Sequence, residues 1–282
     1  MPDFLDDNWC DLKWTDSVPF TESLRLTPSL PGVYRVRVKG QERLAYIGQT
    51  GRTLRERLLG LRRHTLAEEM PFNDPHTAAC RLWSYRDAKK YEYECSAAPV
   101  DLSKPERMAL ECFLIWRYRL EVGQSTLCNF GRLHPQYRPS RNRSTGIRGG
   151  RLPDGQQNEQ VAIIIPPLKI QGDPTTQEWM GLAWRPLEAL RGNALVTVPT
   201  TAGVYKLLDD AGRLLYVGES SNLIDRLLNH RQKAWGDREV LFSICELPEL
   251  RIKCQRLEIE NDLIAGYYAI TKQAPLFQSG VE

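Results

Sequence analysis

Two stretches of this chain alternate apolar with polar positions, as a half-buried β-strand does. Residues 32–38 alternate in this way, and apolar positions resume at residues 44–48 after a polar turn. Residues 204–208 and 214–217 repeat the arrangement around a turn that contains Gly212. A period of two, broken by a short polar turn, predicts a β-hairpin in each half of the chain.

Each predicted hairpin leads into helical patterns. Leucines recur at helical spacing, at Leu54, Leu58 and Leu61 in the first half and at Leu223, Leu227 and Leu228 in the second. This spacing predicts an amphipathic helix after each hairpin. A second helix is predicted over residues 106–120 and about 257–270, and Pro105 suits the first turn of the former.

The two halves also share residues at matching places. Gly-Val-Tyr opens each hairpin, a Tyr-x-Gly run follows on its second strand, and a tryptophan precedes both. A repeat of this kind predicts an α+β protein with two tandem small domains, each a β-hairpin with helices. We expect domains at residues 1–131 and 179–282, joined by a basic linker at 132–178 that is rich in Arg, Gly and Pro and holds an extra strand at 161–165.

Composition limits the number of hydrophobic cores and the cellular compartment. The chain has 282 residues, 41% of them hydrophobic, which is enough for two modest cores. Its seven cysteines are odd in number and form no C-x-x-C pair, as is typical of a reducing compartment. Residues 1–7 lack a basic patch and an apolar run, and residues 161–165 are too few to cross a bilayer. We therefore expect a soluble, cytoplasmic protein without membrane contact.

Charge is distributed unevenly. The formal net charge is only +3, but residues 132–153 hold six arginines and no acid. Interleaved Gly and Ser make this a flexible cation, equally compatible with a solvated spacer and with an arm that grips a nucleic-acid backbone. No helix-turn-helix or zinc-finger pattern accompanies it. The candidate phosphate contacts there are Arg141, Arg143, Arg148 and Arg151.

The repeated residues resemble the GIY-YIG nucleases, over about residues 32–129 and 203–278. The resemblance implies, in each domain, a small antiparallel sheet of about three strands flanked by helices. It also implies that two tyrosines, an arginine and a glutamate surround one Mg²⁺ or Mn²⁺ per active domain. The implied metal ligands are Glu111 and Glu260, and Gly48, Gly218 and Asn129 would support the sites. The implied catalytic residues are Tyr34, Tyr46, Arg57, His76 and Glu111 in the first copy, and Tyr205, Tyr216, Arg226, His230 and Glu260 in the second.

The chemistry of this residue set can be stated without the family. Hydrolysis of a phosphodiester needs a base, a cation and usually a metal ion. The rigid donor fork of arginine suits phosphate oxygens, and a carboxylate suits Mg²⁺, which keeps several waters. Tyrosine titrates near ~10, so it acts as a base only if a metal ion and the arginine lower its pKa. We expect one tyrosine to activate water and its partner to orient it.

The copies differ in spacing. The second has eleven residues from Tyr to Tyr and ten more to its arginine, and the first has one extra residue in each interval. His230 lies one helical turn after Arg226, whereas Leu61 occupies that place in the first copy, so His76 is assigned the histidine role there. Gln278 stands in the second copy where Asn129 stands in the first.

The sequence thus predicts a metal-dependent endonuclease that hydrolyses DNA, in restriction or phage defence. Two alternatives stay open. One is a nucleic-acid-binding protein in which one or both copies are degenerate, and the other is an RNA endonuclease. DNA is the expected partner ahead of RNA, and the oligomeric state is open. Three helix arginines are either solvated or non-specific phosphate contacts, namely Arg55, Arg62 and Arg63.

Overall fold

The computed structural model describes residues 3–22, 27–158 and 164–278. Most of the extra strand predicted at 161–165 lies outside these residues. The chain forms two compact units, one comprising Met1–Ser103 and Arg117–Ile164 and the other Lys104–Trp116 and Ile165–Glu282. No helix in the described ranges is long and apolar enough to cross a membrane.

The first unit is built on an antiparallel sheet of four strands in the order β1-β4-β2-β3. Its strands are β1 (Val18–Pro19), β2 (Gly32–Val38), β3 (Leu44–Thr50) and β4 (Tyr93–Pro99). Its helices are α1 (Leu54–Thr65) and α2 (Ala79–Lys89), with the C-terminal part of α3 (Lys104–Val122). A two-stranded ribbon follows, of β5 (Tyr137–Arg138) and β6 (Gly150–Arg151).

The second unit has a sheet of the same order, β7-β10-β8-β9. Its elements are β7 (Glu188–Ala189), β8 (Gly203–Asp209), β9 (Leu214–Ser220), α4 (Leu223–Arg231), β10 (Val240–Glu246) and α5 (Lys253–Thr271). The predicted α+β fold, with two small antiparallel sheets flanked by helices, is therefore confirmed. Each sheet has one strand more than the three predicted, because a two-residue edge strand is too short to show alternation.

The two hairpins share one register. Tyr34 lies opposite Gly48, and Tyr205 lies opposite Gly218. Each hairpin has a register shift after the second residue beyond its first tyrosine. The extra residues of the first copy fall in the loops, at 39–43 against 210–213 and at 51–53 against 221–222. Because loops absorb the difference, equivalent residues keep equivalent places on the strands.

The helix after each hairpin begins at a polar cap. The Thr53 hydroxyl accepts a hydrogen bond from the Glu56 N–H at 3.2 Å, and Asn222 caps α4 in the same way. These caps satisfy N–H groups that the first helical turn leaves open. Because each helix begins directly after its cap, the motif arginine, Arg57 or Arg226, is the fourth residue of its helix. The neighbouring leucines pack into the core, so the arginine also faces the sheet.

A tryptophan cage precedes each hairpin. Trp14 and Trp184 each donate the indole N–H to the carbonyl of the tryptophan five residues earlier, at 3.0 and 2.9 Å. A buried cation from the first hairpin strand covers each ring, Arg35 over Trp14 and Lys206 over Trp184, both at 4.4 Å. Such cation–π contacts stabilise a desolvated charge. The repeat therefore extends into the segments before the hairpins.

The first part of the basic segment after α3 packs on the first unit and is not a separate linker. Tyr137 is buried against Trp83, at 6.1 Å between ring centroids, and its hydroxyl donates to Asp87 at 2.6 Å. Residues 132–164 therefore belong to the first unit, and the range predicted as a linker, 132–178, is divided between the units after residue 164. The predicted first domain, 1–131, also includes residues 104–116, which group with the second unit.

All seven cysteines are free thiols. Burial raises the pKa of Cys95 to about 12 and that of Cys245 to about 11. A thiol that stays protonated is a poor nucleophile, so these two cysteines serve as small packing residues.

The Gly48→Ala substitution should destabilise the first unit by about 1 to 3 kcal/mol, as overpacking of a tight site does. A Cβ at this position would lie 2.5 Å from the Tyr34 hydroxyl and 2.6 Å from Cε1 of Tyr46. Gly150→Ala is the matched control, because a Cβ there meets open space. The measurement is the free energy of unfolding in urea, and equal values for the two variants would contradict the packing account.

Candidate active site

The second copy brings two phenols to one guanidinium. Tyr205 and Tyr216 lie on neighbouring strands with their rings stacked, 6.0 Å between centroids at an interplanar angle of 15°. Arg226 on α4 donates from Nε to the Tyr205 hydroxyl at 3.0 Å and from Nη2 to the Tyr216 hydroxyl at 3.4 Å. An arginine has five N–H donors. Three of those on Arg226 therefore stay available, within the described residues, for a ligand such as phosphate.

His230 extends this hydrogen-bond chain. Its Nε2 lies 2.8 Å from the Tyr205 hydroxyl, and its ring is fully buried, 4.9 Å from that of Tyr216. Burial, then the charges of Lys233 and Arg226, lowers the pKa of His230 to about 3. The imidazole is thus neutral, and we assign its Nε2 as the acceptor of the Tyr205 proton.

The two phenols differ in exposure. Tyr205 is fully buried, and burial raises its pKa above the usual value, which favours the neutral phenol that donates to His230. Tyr216 is only half-buried, so its hydroxyl is the more accessible to a water molecule. The structure therefore separates a fully buried phenol from one that solvent can reach.

Glu260 is the carboxylate of this copy. It lies on α5, and its Oε2 accepts a hydrogen bond from the Glu219 N–H at 2.9 Å. Burial and the negative charge of Glu219 raise the pKa of Glu260 to about 7. Glu219 itself is held by Arg256, at 2.9 Å, with Lys253 at 3.9 Å. A bound cation would relieve the cost of holding these two carboxylates together.

The donor set restricts which metal ion could bind. Within the described residues, no three His, Cys, Asp or Glu side chains gather into a group that could hold a metal ion. Glu260 is half-buried, and its Oε1 accepts no hydrogen bond from the part of the chain described. One or two carboxylates with open positions for water fit Mg²⁺ or Mn²⁺, and do not fit a zinc or calcium cage.

Gln278 and Asn129 hold the second hairpin strand in the same way. Gln278 accepts from the Val217 N–H and donates to the Val217 carbonyl, both at 2.9 Å. Asn129 makes the same pair with Ile47, at 2.9 and 2.8 Å. Each pair ties the strand directly beside its tyrosine. The longer glutamine side chain thus makes the contacts that the asparagine makes, and the sequence difference does not change them.

The first copy has a similar arrangement of tyrosines and arginine, with an interplanar angle of 34° between the two rings against 15° in the second copy. The rings of Tyr34 and Tyr46 are 6.1 Å apart, and Arg57 donates from Nε to the Tyr34 hydroxyl at 3.1 Å. Tyr34 is fully buried and Tyr46 half-buried, as in the second copy.

The histidine of the first copy differs from its counterpart. His76 comes from the loop before α2, and its Nδ1 accepts from Nη1 of Arg57 at 2.6 Å. Burial and the charge of Arg57 lower the pKa of His76 to about 4, so the ring is neutral. Gly60 makes room for it, since any side chain there would overlap the imidazole. His76 therefore contacts the arginine, whereas His230 contacts the tyrosine.

Glu111 is the helix-register equivalent of Glu260. The helices α3 and α5 both have 19 residues, and each glutamate is the eighth residue of its helix. Glu111 is half-buried and lies in the part of α3 that groups with the second unit. Of the residues predicted for the first copy, Tyr34, Arg57 and His76 come together within the first unit.

The predicted phosphate-contacting arginines of α1 have different surroundings. Arg63 is exposed. Arg55 donates to the Thr27 carbonyl at 3.2 Å, and Arg62 donates to the Phe20 carbonyl. Arg62 thereby helps to anchor the segment before β2.

The sequence motifs missed three residues of the second copy. Glu219 follows the motif glycine directly, and Arg256 lies one helical turn before Glu260, a spacing that could have been searched for acid–base pairs. Trp235 stacks on His230 at 5.8 Å and donates its indole N–H to the His230 carbonyl at 2.9 Å. No periodic signal marks Trp235, because it lies in a loop.

Part of this chain is similar to known proteins. It is 32% identical over 77 residues to UvrABC system protein C of Chlamydia caviae, covering 25% of the chain and 13% of that protein. For UvrABC system protein C of Rhodospirillum rubrum the identity is 46% over 48 residues, covering 17% of the chain and 7% of that protein. For the same protein of Zymomonas mobilis it is 31% over 81 residues, covering 27% and 12%.

The chain therefore aligns with 13% or less of the length of these relatives. No protein-family model matches the chain, and no solved structure matches it. Each match relates only part of the chain to part of a UvrABC system protein.

His230 should make the stability of the protein fall in mild acid. Its pKa of about 3 in the folded state lies below the ~6.5 of an unfolded histidine, so below pH ~6.5 the unfolded chain binds a proton that the folded chain does not. The stabilisation is present above pH ~6.5 and decreases as the pH falls. A His230→Gln variant lacks this pH-dependent contribution to stability. Its free energy of unfolding should therefore lie below that of wild type by an amount that shrinks by about 1 to 2 kcal/mol between pH 7.5 and 5.

Urea unfolding at a series of pH values measures this deficit. Asn229→Ala, an exposed and non-titrating neighbour, is the control and should keep the pH dependence of the wild type. A deficit of His230→Gln that stays constant across this range would show that His230 is not held neutral.

Proposed function

We propose that this protein is a metal-dependent endonuclease that hydrolyses DNA phosphodiester bonds through two GIY-YIG-type sites. The observation that carries the proposal is the arginine that donates to a strand tyrosine in both copies, from Arg57 to Tyr34 and from Arg226 to Tyr205. In each copy this arginine lies beside a second tyrosine and belongs to the same element order. The partial similarity to UvrABC system protein C supports a GIY-YIG-type relationship for the matched stretch.

In this proposal the arginine holds the reacting phosphate. Arg226 is fixed by its two phenol contacts and keeps donors for the phosphate oxygens, whose negative charge grows as water attacks phosphorus. Its guanidinium is half-buried, so the attraction to phosphate is less screened than at a fully exposed site. The bond from phosphorus to the leaving oxygen then breaks, giving a phosphate monoester and a hydroxyl.

The tyrosines divide the remaining work. We assign the contact with the attacking water to Tyr216, because it is half-buried and its hydroxyl accepts from Arg226. In this assignment Tyr216 accepts the proton that the attacking water loses. Tyr205, fully buried between Arg226 and His230, positions the guanidinium. Tyr46 and Tyr34 have the corresponding exposures and take the corresponding roles in the first copy.

Glu260 would hold the metal ion of the second copy, and Glu111 stays the metal ligand predicted from the sequence for the first copy. A bound Mg²⁺ or Mn²⁺ would lower the pKa of a coordinated water and neutralise part of the phosphate charge. Glu260 would supply the carboxylate oxygen that accepts no hydrogen bond from the described residues. DNA is the proposed substrate, and a restriction or phage-defence role stays a prediction.

We predict that the intact protein converts supercoiled plasmid to linear DNA in Mg²⁺ and that chelation of the metal ion stops cleavage. Glu111→Ala or Glu260→Ala alone should leave nicked circles, because one working copy cuts one strand. The double variant should leave the plasmid uncut. Agarose electrophoresis of a time course separates the three plasmid forms.

Glu239→Ala removes an exposed glutamate of the second unit and serves as the control. Full cleavage in chelator or by the double variant would contradict the proposed chemistry. Loss in only one single variant would identify one catalytic copy. Parallel digestion of matched DNA and RNA oligonucleotides tests the substrate, and cleavage of RNA alone would replace DNA with RNA.

The assignment of the phenols predicts unequal effects of removing them. In a Glu111→Ala background, where only the second copy cuts, Tyr216→Phe should lower the single-turnover rate by about 100-fold or more, the contribution expected of a general base. Tyr205→Phe should cost less, about tenfold, because the arginine keeps its contact with Tyr216.

Tyr267→Phe, which changes a tyrosine of α5 that makes no hydrogen bond to Arg226 or His230, is the control. A larger loss in Tyr205→Phe than in Tyr216→Phe would reverse the two assignments. Rates at saturating protein separate this effect from weaker DNA binding.

A further inference from the structure

The first copy contains two segments that are much shorter in the second. Between the arginine helix and the third long strand it has residues 66–92, where the second copy has residues 232–239. After its last helix it continues through residues 132–158, where the described part of the second copy ends at residue 278. We call residues 66–92 and 132–158 together the extension.

The two parts of the extension pack on one another. They share a small core of their own, formed by Met70, Cys80, Trp83, Leu133 and Tyr137. Polar contacts join them as well, since the Ser84 hydroxyl accepts from the His134 N–H at 3.2 Å and Asp87 accepts from the Tyr137 hydroxyl at 2.6 Å. The extension is thus a built structure with a fixed surface, although its parts are far apart in sequence.

One part of the extension, residues 132–158, is strongly cationic. Residues 132–153 hold six arginines and no acid, and five of these arginines are exposed, namely Arg138, Arg141, Arg143, Arg148 and Arg151. Arg148 is paired with Glu69 of the other part, at 3.3 Å. The remaining arginine charges attract a polyanion.

Hydrogen bonds fix the backbone under these charges. The Arg141 carbonyl accepts from the Asn73 N–H at 3.1 Å, and the Arg141 N–H donates to the Ile147 carbonyl at 3.0 Å. The Arg143 N–H donates to Asp74 at 2.6 Å. A fixed backbone lowers the conformational entropy lost when the arginines bind a ligand.

The arginines themselves divide into two groups. Arg143 and Arg148 lie over the Phe72 ring, at 5.6 and 4.5 Å, and Arg148 also donates to the Met70 carbonyl at 2.7 Å. These two anchor the segment. The side chains of three others form no hydrogen bond or ion pair within the described residues, namely Arg138, Arg141 and Arg151.

The same loop that anchors the arginines carries His76. Asn73 and Asp74 bond to the arginine segment, and His76, two residues further, accepts from Arg57 at 2.6 Å. The cationic surface is therefore joined through one short loop to the arginine of the first copy.

We propose that the extension binds the phosphate backbone of double-stranded nucleic acid and makes the first copy the one that grips the substrate. This inference deepens the proposed nuclease function and rests on it for the identity of the substrate. Contacts from arginines to phosphates carry no base recognition, so binding by this surface is independent of sequence and depends strongly on salt.

The test measures binding without cleavage. A fluorescein-labelled 24-base-pair DNA is titrated with protein in chelator, and anisotropy gives the dissociation constant at several salt concentrations. The variant Arg138→Gln/Arg141→Gln/Arg151→Gln should bind about tenfold or more weakly, and the slope of log K against log salt should fall by about 2 to 3, since each lost phosphate contact removes ~0.9.

The matched control removes the same charge elsewhere. Lys169→Gln/Arg191→Gln/Arg251→Gln changes three exposed cations of the second unit and should weaken binding less than about threefold. Thermal unfolding of both variants checks that each is folded. Equal losses in the two variants would overturn the proposal, because they would show a general effect of net charge, and so would an unchanged slope in the extension variant.

Two further arms separate this inference from the nuclease proposal. Polyglutamate that competes as well as DNA does at equal charge would overturn the nucleic-acid assignment. Plasmid cleavage in Mg²⁺ is measured with the same preparations. If wild type cleaves the plasmid and the extension variant binds DNA as tightly as wild type does, only this inference is contradicted. If the extension variant loses binding and wild type cleaves no plasmid, the binding surface is supported and the nuclease proposal is contradicted.

Discussion

The two copies depend on one close contact, that of a tyrosine ring against the glycine opposite it on the next strand. A Cβ at Gly48 or Gly218 would overlap the ring of Tyr34 or Tyr205. The missing side chain lets the ring lie flat across the neighbouring strand, so its hydroxyl arrives at a fixed point under the arginine helix. Because the contact is tight on both sides, the phenol cannot move without moving the strand pair.

The burial of this tyrosine ring also decides which side chains of the site carry charge. Arg226 remains charged among neutral partners, because burial keeps Tyr205 protonated and His230 unprotonated. Where α5 meets β9, the carboxylates of Glu260 and Glu219 lie close together, and of the two only Glu219 is paired with an arginine. In the proposed mechanism Arg226 takes the phosphate oxygens and Glu260 takes the divalent cation, which are two functions that phosphodiester hydrolysis requires.

Much of the fold could be predicted from the sequence because local pattern determines it. Alternation identified the hairpins around Tyr34 and Tyr205, and leucine spacing identified the helices, so the α+β class with two sheets is confirmed. Long-range packing had no such signal. Tyr137 docks on Trp83, 54 residues earlier, and turns a segment that resembles a linker into part of the first unit.

The candidate sites show the same division. Motif spacing identified Arg57, and a loop contact that spacing cannot reveal brings His76 to it. Gln278 in place of asparagine suggested a difference between the copies, yet its longer side chain makes the equivalent backbone contacts from the equivalent position, seven residues after the last helix. Glu219 was missed because its proximity to Glu260 depends on how α5 packs on β9.

In the proposed mechanism one copy holds a phosphate on its arginine and a divalent cation on its glutamate at the same time. A crystal structure of the protein with Mn²⁺ and a DNA duplex whose phosphorothioates resist cleavage would test this, with the Mn²⁺ located by anomalous scattering. We expect an anomalous peak on the Glu260 carboxylate and a backbone phosphate on the Arg226 guanidinium. Mn²⁺ bound away from Glu260, or DNA bound with no phosphate at Arg226, would contradict it.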